Sequence, residues 1–479
     1  MEAILNQVRV TGKGDLLESF TAPRPSIAER RESGKALRQK VPRADHAVWT
    51  PRADRGDPVS ILEQQNRTRA QKLVPVRFAR MLASPFAFLR GSAAVMAADL
   101  ATTPTSGILV NACGDMHVSN FGVFGSAERD LVFAINDFDE VFPGPWEWDL
   151  KRLAASAAVA VRFMGGDKIQ AAAAAAACVR SYRKRISRYA EMGALEVWYD
   201  RIDERAILDT LSPQARRAAQ RSIDKAKAKG HQRVLEKMTE QVNGEHRIIE
   251  DVPLIVRESH LENGMPVSEA LDLMLRSYIE SLTFDRRRLL ARYRMVDVAR
   301  KVVGVGSVGT ACWVVLLKGA SKDDPLFLQV KGAEASVLEP YVDSRLPFDN
   351  HGRRVVVGQR MIQGSPDIFL GWGAVGQGHF YVRQLADMKG GLEMAVGTRE
   401  QIPNFLEYCA LCGWALALAH AKSGDAALIA GYCGGSAVLD EAIATFALAY
   451  AKQTQRDHEA LEAARRSGRI TVAENRVVR

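Results

Sequence analysis

Gly114-Asp115-Met116-His117-Val118-Ser119-Asn120, followed 17 residues after Asn120 by Asp137-Phe138-Asp139, is the stretch on which the fold reading turns. Asp115 and Asn120 stand at the ends of a D-x-x-x-x-N spacing. Asp137 closes the apolar run LVFAIN, where a strand would deliver a carboxylate into a cleft. Transfer of a phosphoryl group needs one carboxylate to orient the attacking hydroxyl. It also needs a second carboxylate and an amide oxygen to hold Mg2+ against the phosphates. The stretch supplies these types, with Asp115 and His117 as candidate catalytic residues and Asn120, Asp137 and Asp139 as candidate metal ligands. The spacing alone also arises from turn and cap residues. A metal-dependent hydrolase built on His117 and the carboxylates is the competing chemistry.

Downstream, Gly304-Val305-Gly306-Ser307-Val308-Gly309 is a G-x-G-x-x-G. A dinucleotide-binding fingerprint must run from a strand into a helix, with an acidic residue about 20 positions on. Here TACWVVLL follows Gly309, β-branched and extended in preference, so strand, glycine turn, strand is expected and a dehydrogenase is disfavoured. In that arrangement Gly304, Gly306, Ser307 and Gly309 bring bare backbone to phosphates; a plain hairpin is the structural alternative. Lys331 ends the apolar strand LFLQV, 27 residues after Gly304, and would meet the α- and β-phosphates as a point charge. A glutamate should hold that lysine. Glu334 and Glu339 follow closely, and the helix-like RRVVVGQRMIQ offers Gln359 but no acid, so the ion pair stays unassigned, with Glu339 preferred over Glu334. HFYVRQL, residues 379–385, reads as the last strand of this lobe and the hinge that meets the base.

These segments form a kinase inventory in rotated order. GDxHxxN resembles the catalytic loop of aminoglycoside and choline kinases more than the HRD form of protein kinases, and Asp149-Leu150 is similar to the Asp-Leu that follows the metal aspartate there. Asp149 is read as a buried anchor. GDMHVSNFG, NDFDE, VGVGSVGT, FLQVKGAEAS and YVRQLADMKG together resemble a bacterial family catalogued as domain of unknown function 2252, from about Leu37 to Arg456. The resemblance implies an α+β, protein-kinase-like two-lobe fold with circularly permuted lobe order: a small β-rich nucleotide lobe and a large, mainly helical lobe. It places the kinase roles on Asp115, Asn120, Asp137 and Lys331. Asp139, where many kinases carry a glycine, departs from the pattern. The expected units are a basic N-terminal arm (1–75), a helical catalytic lobe (76–295), the nucleotide lobe (296–392) and C-terminal helices (393–479) that pack back on the catalytic lobe.

The expected function is ATP- and Mg2+-dependent phosphotransfer to a small-molecule acceptor. AMP transfer on the same fold and a non-catalytic nucleotide-binding scaffold are the alternatives. The 479 residues are 47% hydrophobic and 25% charged, an ordinary globular balance, with a formal charge of +9. That excess singles out neither nucleic acid nor membrane; a protein partner would dock on the basic arm. Six cysteines are too few for a disulfide framework, and the Cys409/Cys412 CxxC lies in an apolar helical run, where a helix turn is preferred to a redox or metal role. The N-terminus MEAILNQVRVTGKGD lacks an apolar signal core and no long uninterrupted apolar run is present, so a cytoplasmic location is expected.

Overall fold

The structure is a computed structural model describing residues 22–473 apart from 229–230, 262–263, 303, 307, 322–323 and 386–389. It is a mixed α+β fold, with small antiparallel sheets set against a large helical body.

The helical body is organised around Trp146–Phe163, in which every residue from Trp146 to Val161 is buried. Alanines at 154, 155, 157, 158 and 160 have little side-chain bulk, so neighbouring helices approach it on several sides. Lys168–Tyr189 lies beside it, started by Asp167 and Gln170 in a reciprocal capping box. Ile402–Ser423 packs along that helix so closely that a Cβ on Gly413 would overlap the Cys178 carbonyl. Cys409 and Cys412 are buried in this contact and burial pushes both thiols well up, as a structural helix turn requires. Residues 399–423 are long and apolar enough to cross a membrane, which the sequence reading did not anticipate, but 72% of the most apolar window is buried inside the protein. That is the burial of a core helix.

The stretch read as an exposed basic arm is, from residue 22 onward, built into the fold. Ile27–Ala36 is a helix with a Ser26/Glu29 capping box. It docks on Ala426–Cys433 through glycines on both sides: Gly34 meets the Leu428 carbonyl and Gly431 meets that of Arg31. Arg38 Nε donates to Tyr432 O (2.9 Å) and Arg43 Nη1 to Cys433 O (2.7 Å). These arginines therefore satisfy the open carbonyls of a helix C-terminus, where cations are favoured, instead of facing solvent. Residues 469–473 meet the segment 57–75, with Ala473 N donating to Pro75 O (3.0 Å) and Arg469 paired with Asp57 and Glu63.

Residues 255–384 supply a six-stranded antiparallel sheet. Its spatial order is Gly371–Val375, Gly378–Gln384, Pro325–Ala333, Cys312–Lys318, Arg294–Lys301 and the short Ile255–Val256. Alternation along Pro325–Ala333 sorts its side chains. Leu326, Leu328 and Val330 pack towards Val267–Ser281, while Phe327, Gln329 and Lys331 point to the opposite face. The intervening helix, His351–Ile362, packs on Gly371–Val375 and Gly378–Gln384. Covered on both faces, the strand is almost wholly buried, which explains its unbroken apolar reading.

Candidate active site

Strand Leu109–Ala112 leads into a tight turn at Gly114, whose φ is +72° and whose Cβ position lies 2.8 Å from Glu140 O, so only glycine fits. Asp149, in the first turn of Trp146–Phe163, grips this turn from below. Its carboxylate accepts from Cys113 N (2.6 Å) and Gly114 N (3.0 Å), and His420 Nε2 lies 3.3 Å away. Three residues later on the same helix, Arg152 donates through Nε (3.0 Å) and Nη2 to Asp115 Oδ1. One buried helix thus fixes both the backbone and the carboxylate of the loop.

Burial pushes the Asp115 carboxyl up to about 6 even though Arg152 opposes the shift. His117 is buried; its Nδ1 accepts from Ser119 N (3.2 Å) and its Nε2 lies 3.8 Å from Asp115 Oδ2. Burial, with Arg90 and Arg152 nearby, holds this imidazole well below its usual range, so it is neutral. With Nδ1 accepting, the neutral His117 carries its ring proton on Nε2, on the side of Asp115. Asn120 Nδ2 donates to Asp115 O (2.6 Å), which leaves its amide oxygen as the free acceptor of that side chain.

Strand Leu131–Ile135 delivers Asn136 and Asp137. Asp137 Oδ1 is buried, accepts no hydrogen bond and lies 3.7 Å from Lys331 Nζ. Asp139 is differently placed: Lys331 Nζ donates to its Oδ2 (2.5 Å) and Tyr381 to its Oδ1 (2.6 Å). Burial alone would raise this carboxyl, but Lys331 and Tyr381 outweigh it and hold Asp139 down at about 2. Lys331 is only 2% exposed; burial opposes its charge, yet Asp137 and Asp139 prevail and raise it well above the usual lysine value. Asp139, expected as a metal ligand, lines the same cleft and is engaged here by the protein's own groups. With a cation already on one oxygen and a hydroxyl on the other, it is the lysine's anchor.

The expectation for Glu339 is corrected. It sits in the turn after the lysine strand and faces helix His351–Ile362, 3.8 Å from Arg354 Nε and 3.9 Å from His351 Nδ1, and accepts from Ser336 N (3.0 Å). The helix presents Gln359, which donates to Gln363 (2.8 Å), so no carboxylate reaches Lys331 from that side.

The glycine segment joins antiparallel strands Arg294–Lys301 and Cys312–Lys318, paired Arg300 to Trp313. Gly309 needs its glycine: φ is +86° and its Cβ position is 3.1 Å from the Arg69 Cβ. Gly304 has open space around it. The turn is tied to the helical body, with Ala70 N donating to Gly309 O (2.8 Å) and Arg69 Nη1 to Val308 O (2.6 Å). At its tip, the Cβ position of Gly306 is 3.9 Å from Asp115 Oδ2. Ser307 lies outside the described residues.

A cavity of about 420 Å3 opens between the sheet and the helical body, lined by Asp115, His117, Asn120, Asp137, Lys331, Gly304 and Gly306. Candidates separated by nearly the whole length of a lobe therefore share one cleft, while Gly309 and Glu339 stand behind its wall. Strand register builds the floor. Lys331 faces Tyr381 and Gln329 faces Arg383, and Arg383 donates to Gln329 Oε1 (3.0 Å) and Asn136 O (3.1 Å). Arg152, Tyr381, Arg383 and the arginines at 69, 77 and 90 were missed from sequence. Only Arg152 had a local signal, its helical spacing from Asp149. Among the described residues no group of three or more His, Cys, Asp and Glu is placed to hold a metal ion.

The chain belongs to a family described as an uncharacterized protein conserved in bacteria (DUF2252), whose model matches residues 69–464. No curated protein and no solved structure matches the chain.

Proposed function

We propose that this chain is a Mg2+- and ATP-dependent phosphotransferase of protein-kinase-like architecture, with its lobes in circularly permuted order, acting on a small hydroxyl-bearing acceptor. The carrying observation is the single cleft that gathers Asp115, Asn120, Asp137, Lys331 and the glycine turn. Sheet order supports the same reading. A glycine turn joins the first two long strands, the third carries the lysine near its end, a helix follows, and the last strand returns beside the third, as in the small lobe of a kinase.

Mg2+ fits the donors present. It is bound through one or two carboxylates plus substrate phosphates, and Asp137 Oδ1 is a buried acceptor without a partner, with the Asn120 amide oxygen as companion. When bound, the ion would neutralise charge on the phosphate oxygens. Asp115, ionised above about pH 6, takes the acceptor's hydroxyl proton. The acceptor oxygen then forms its bond to the γ-phosphorus, the bond to the β,γ-bridging oxygen breaks, and ADP leaves with that electron pair. Lys331, buried and charged, offsets negative charge on the nucleotide.

ATP labelled at the α- or γ-phosphate tests this reading across a panel of small hydroxylated acceptors. Label from the γ position in product supports phosphotransfer; label from the α position rejects it in favour of AMP transfer.

A further inference from the structure

We propose that the acceptor is a small anion, a carboxylate or phosphate ester carrying the reactive hydroxyl, and that Arg90 is the residue that binds its anionic group. This rests on the phosphotransferase reading and specifies its substrate class. The wall of the cleft contributed by residues 65–94 carries Arg69, Arg77 and Arg90 and no carboxylate. Two of these arginines are committed. Arg69 holds the glycine turn at Val308 O, and Arg77 donates to Asn66, to Gln65 Oε1 (2.6 Å) and to Gly91 O (2.9 Å).

Arg90 differs. It lines the cleft near the end of helix Pro85–Gly91, its Nε is buried without a partner, and among the described residues it makes no hydrogen bond or ion pair. Among the described residues Asp115 is the carboxylate that acts on its charge. Its own carbonyl lies 3.5 Å from the Cβ position of Gly306, at the same tip of the glycine turn that approaches Asp115. Its one buried donor, Nε, is left unpaired, an unfavourable state that an oxyanion would relieve. The planar fork of arginine suits a carboxylate or phosphate, which it binds through two parallel hydrogen bonds.

Position decides which anion. Lys331 on the six-stranded sheet and Asn120 and Asp137 on the loops of the helical body are assigned to the nucleotide, whereas Arg90 lines the cleft from helix Pro85–Gly91, with Asp115, where the hydroxyl must be deprotonated, acting on its charge. An acceptor held by its anionic end at Arg90 presents a hydroxyl to Asp115. Glu140 and Glu334 line the same cleft and act on Arg69 and Arg77, so the preference for an anionic acceptor rests on Arg90.

Inorganic phosphate is the probe, titrated by calorimetry into the full chain, first alone and then saturated with Mg2+ and a non-hydrolysable ATP analogue. Phosphate should bind in both states, and R90Q should weaken it about tenfold or more, the loss of one charge-assisted contact. R90K keeps the charge but loses the fork, so it should fall between the two and serves where R90Q does not fold. Phosphate binding indifferent to both variants, an adventitious ion only, overturns the proposal. So does phosphate binding that the analogue abolishes, since Arg90 would then serve the nucleotide. Should the chain bind no nucleotide while phosphate binding stays sensitive to R90Q, the anion site stands and the phosphotransferase reading falls.

Discussion

Lys331 Nζ lies 2.5 Å from Asp139 Oδ2, although 192 residues separate them in the chain. A lysine at the end of a nucleotide-lobe strand would be expected to pair with a helix glutamate; here the acid comes from the loop that also carries Asp137, and the two halves of the cleft are pinned directly together.

That pairing has a measurable cost when broken from one side. D139A leaves Lys331 buried with Asp137 as its remaining carboxylate, and removing one partner of a buried pair should destabilise by about 3 kcal/mol. The double variant K331M/D139A removes the stranded charge and should recover part of that loss. Urea denaturation of the three proteins provides the comparison, and equal stability of D139A and wild type would refute the anchoring role.

On the proposed phosphotransferase reading, the pH dependence of transfer follows from Asp115. Its carboxyl is raised by burial to about 6 and must be ionised to accept a proton, so kcat/KM should fall as pH drops through about 6 and level off above it. Arg152 lowers this value, so R152M should move the acid limb to higher pH. A limb that stays in place in R152M would dissociate it from Asp115.

Asp149 should be indispensable to folding of the loop without touching substrate. D149A leaves the buried N–H groups of Cys113 and Gly114 without their charged acceptor, a loss of about 3 kcal/mol or more. Thermal unfolding checks this; a Tm close to wild type would be inconsistent with it.

The glycines of the turn should respond unequally. G309A forces alanine to a φ of +86° and against Arg69, costing about 1–2 kcal/mol. G304A meets open space and should be near neutral for stability. Denaturation midpoints separate them, and similar losses at both positions would show that packing is not what distinguishes them.

Sequence made the chemistry of the loops legible because it is local. Asp115, Asn120, Asp137 and Lys331 each end or follow an apolar strand, and period-two alternation places Lys331 on the face away from the helix Val267–Ser281. Pairing across strands was not legible. Tyr381 opposite Lys331 and Arg383 opposite Gln329 depend on a register that no single strand records. Glu339 was misassigned for a related reason: closeness in sequence to Lys331 does not reveal that the turn aims it at Arg354. The arm was misread because Arg38 and Arg43 look solvated until the helix end at 431–433 that they satisfy is seen.

The most direct test is calorimetric titration of a non-hydrolysable ATP analogue into the full chain with and without Mg2+. One site per chain is expected, dependent on Mg2+, lost in K331M and stripped of its metal dependence in D137N. Absence of binding, or binding indifferent to Mg2+ and to both substitutions, would contradict the assignment of this cleft to a metal-bound triphosphate.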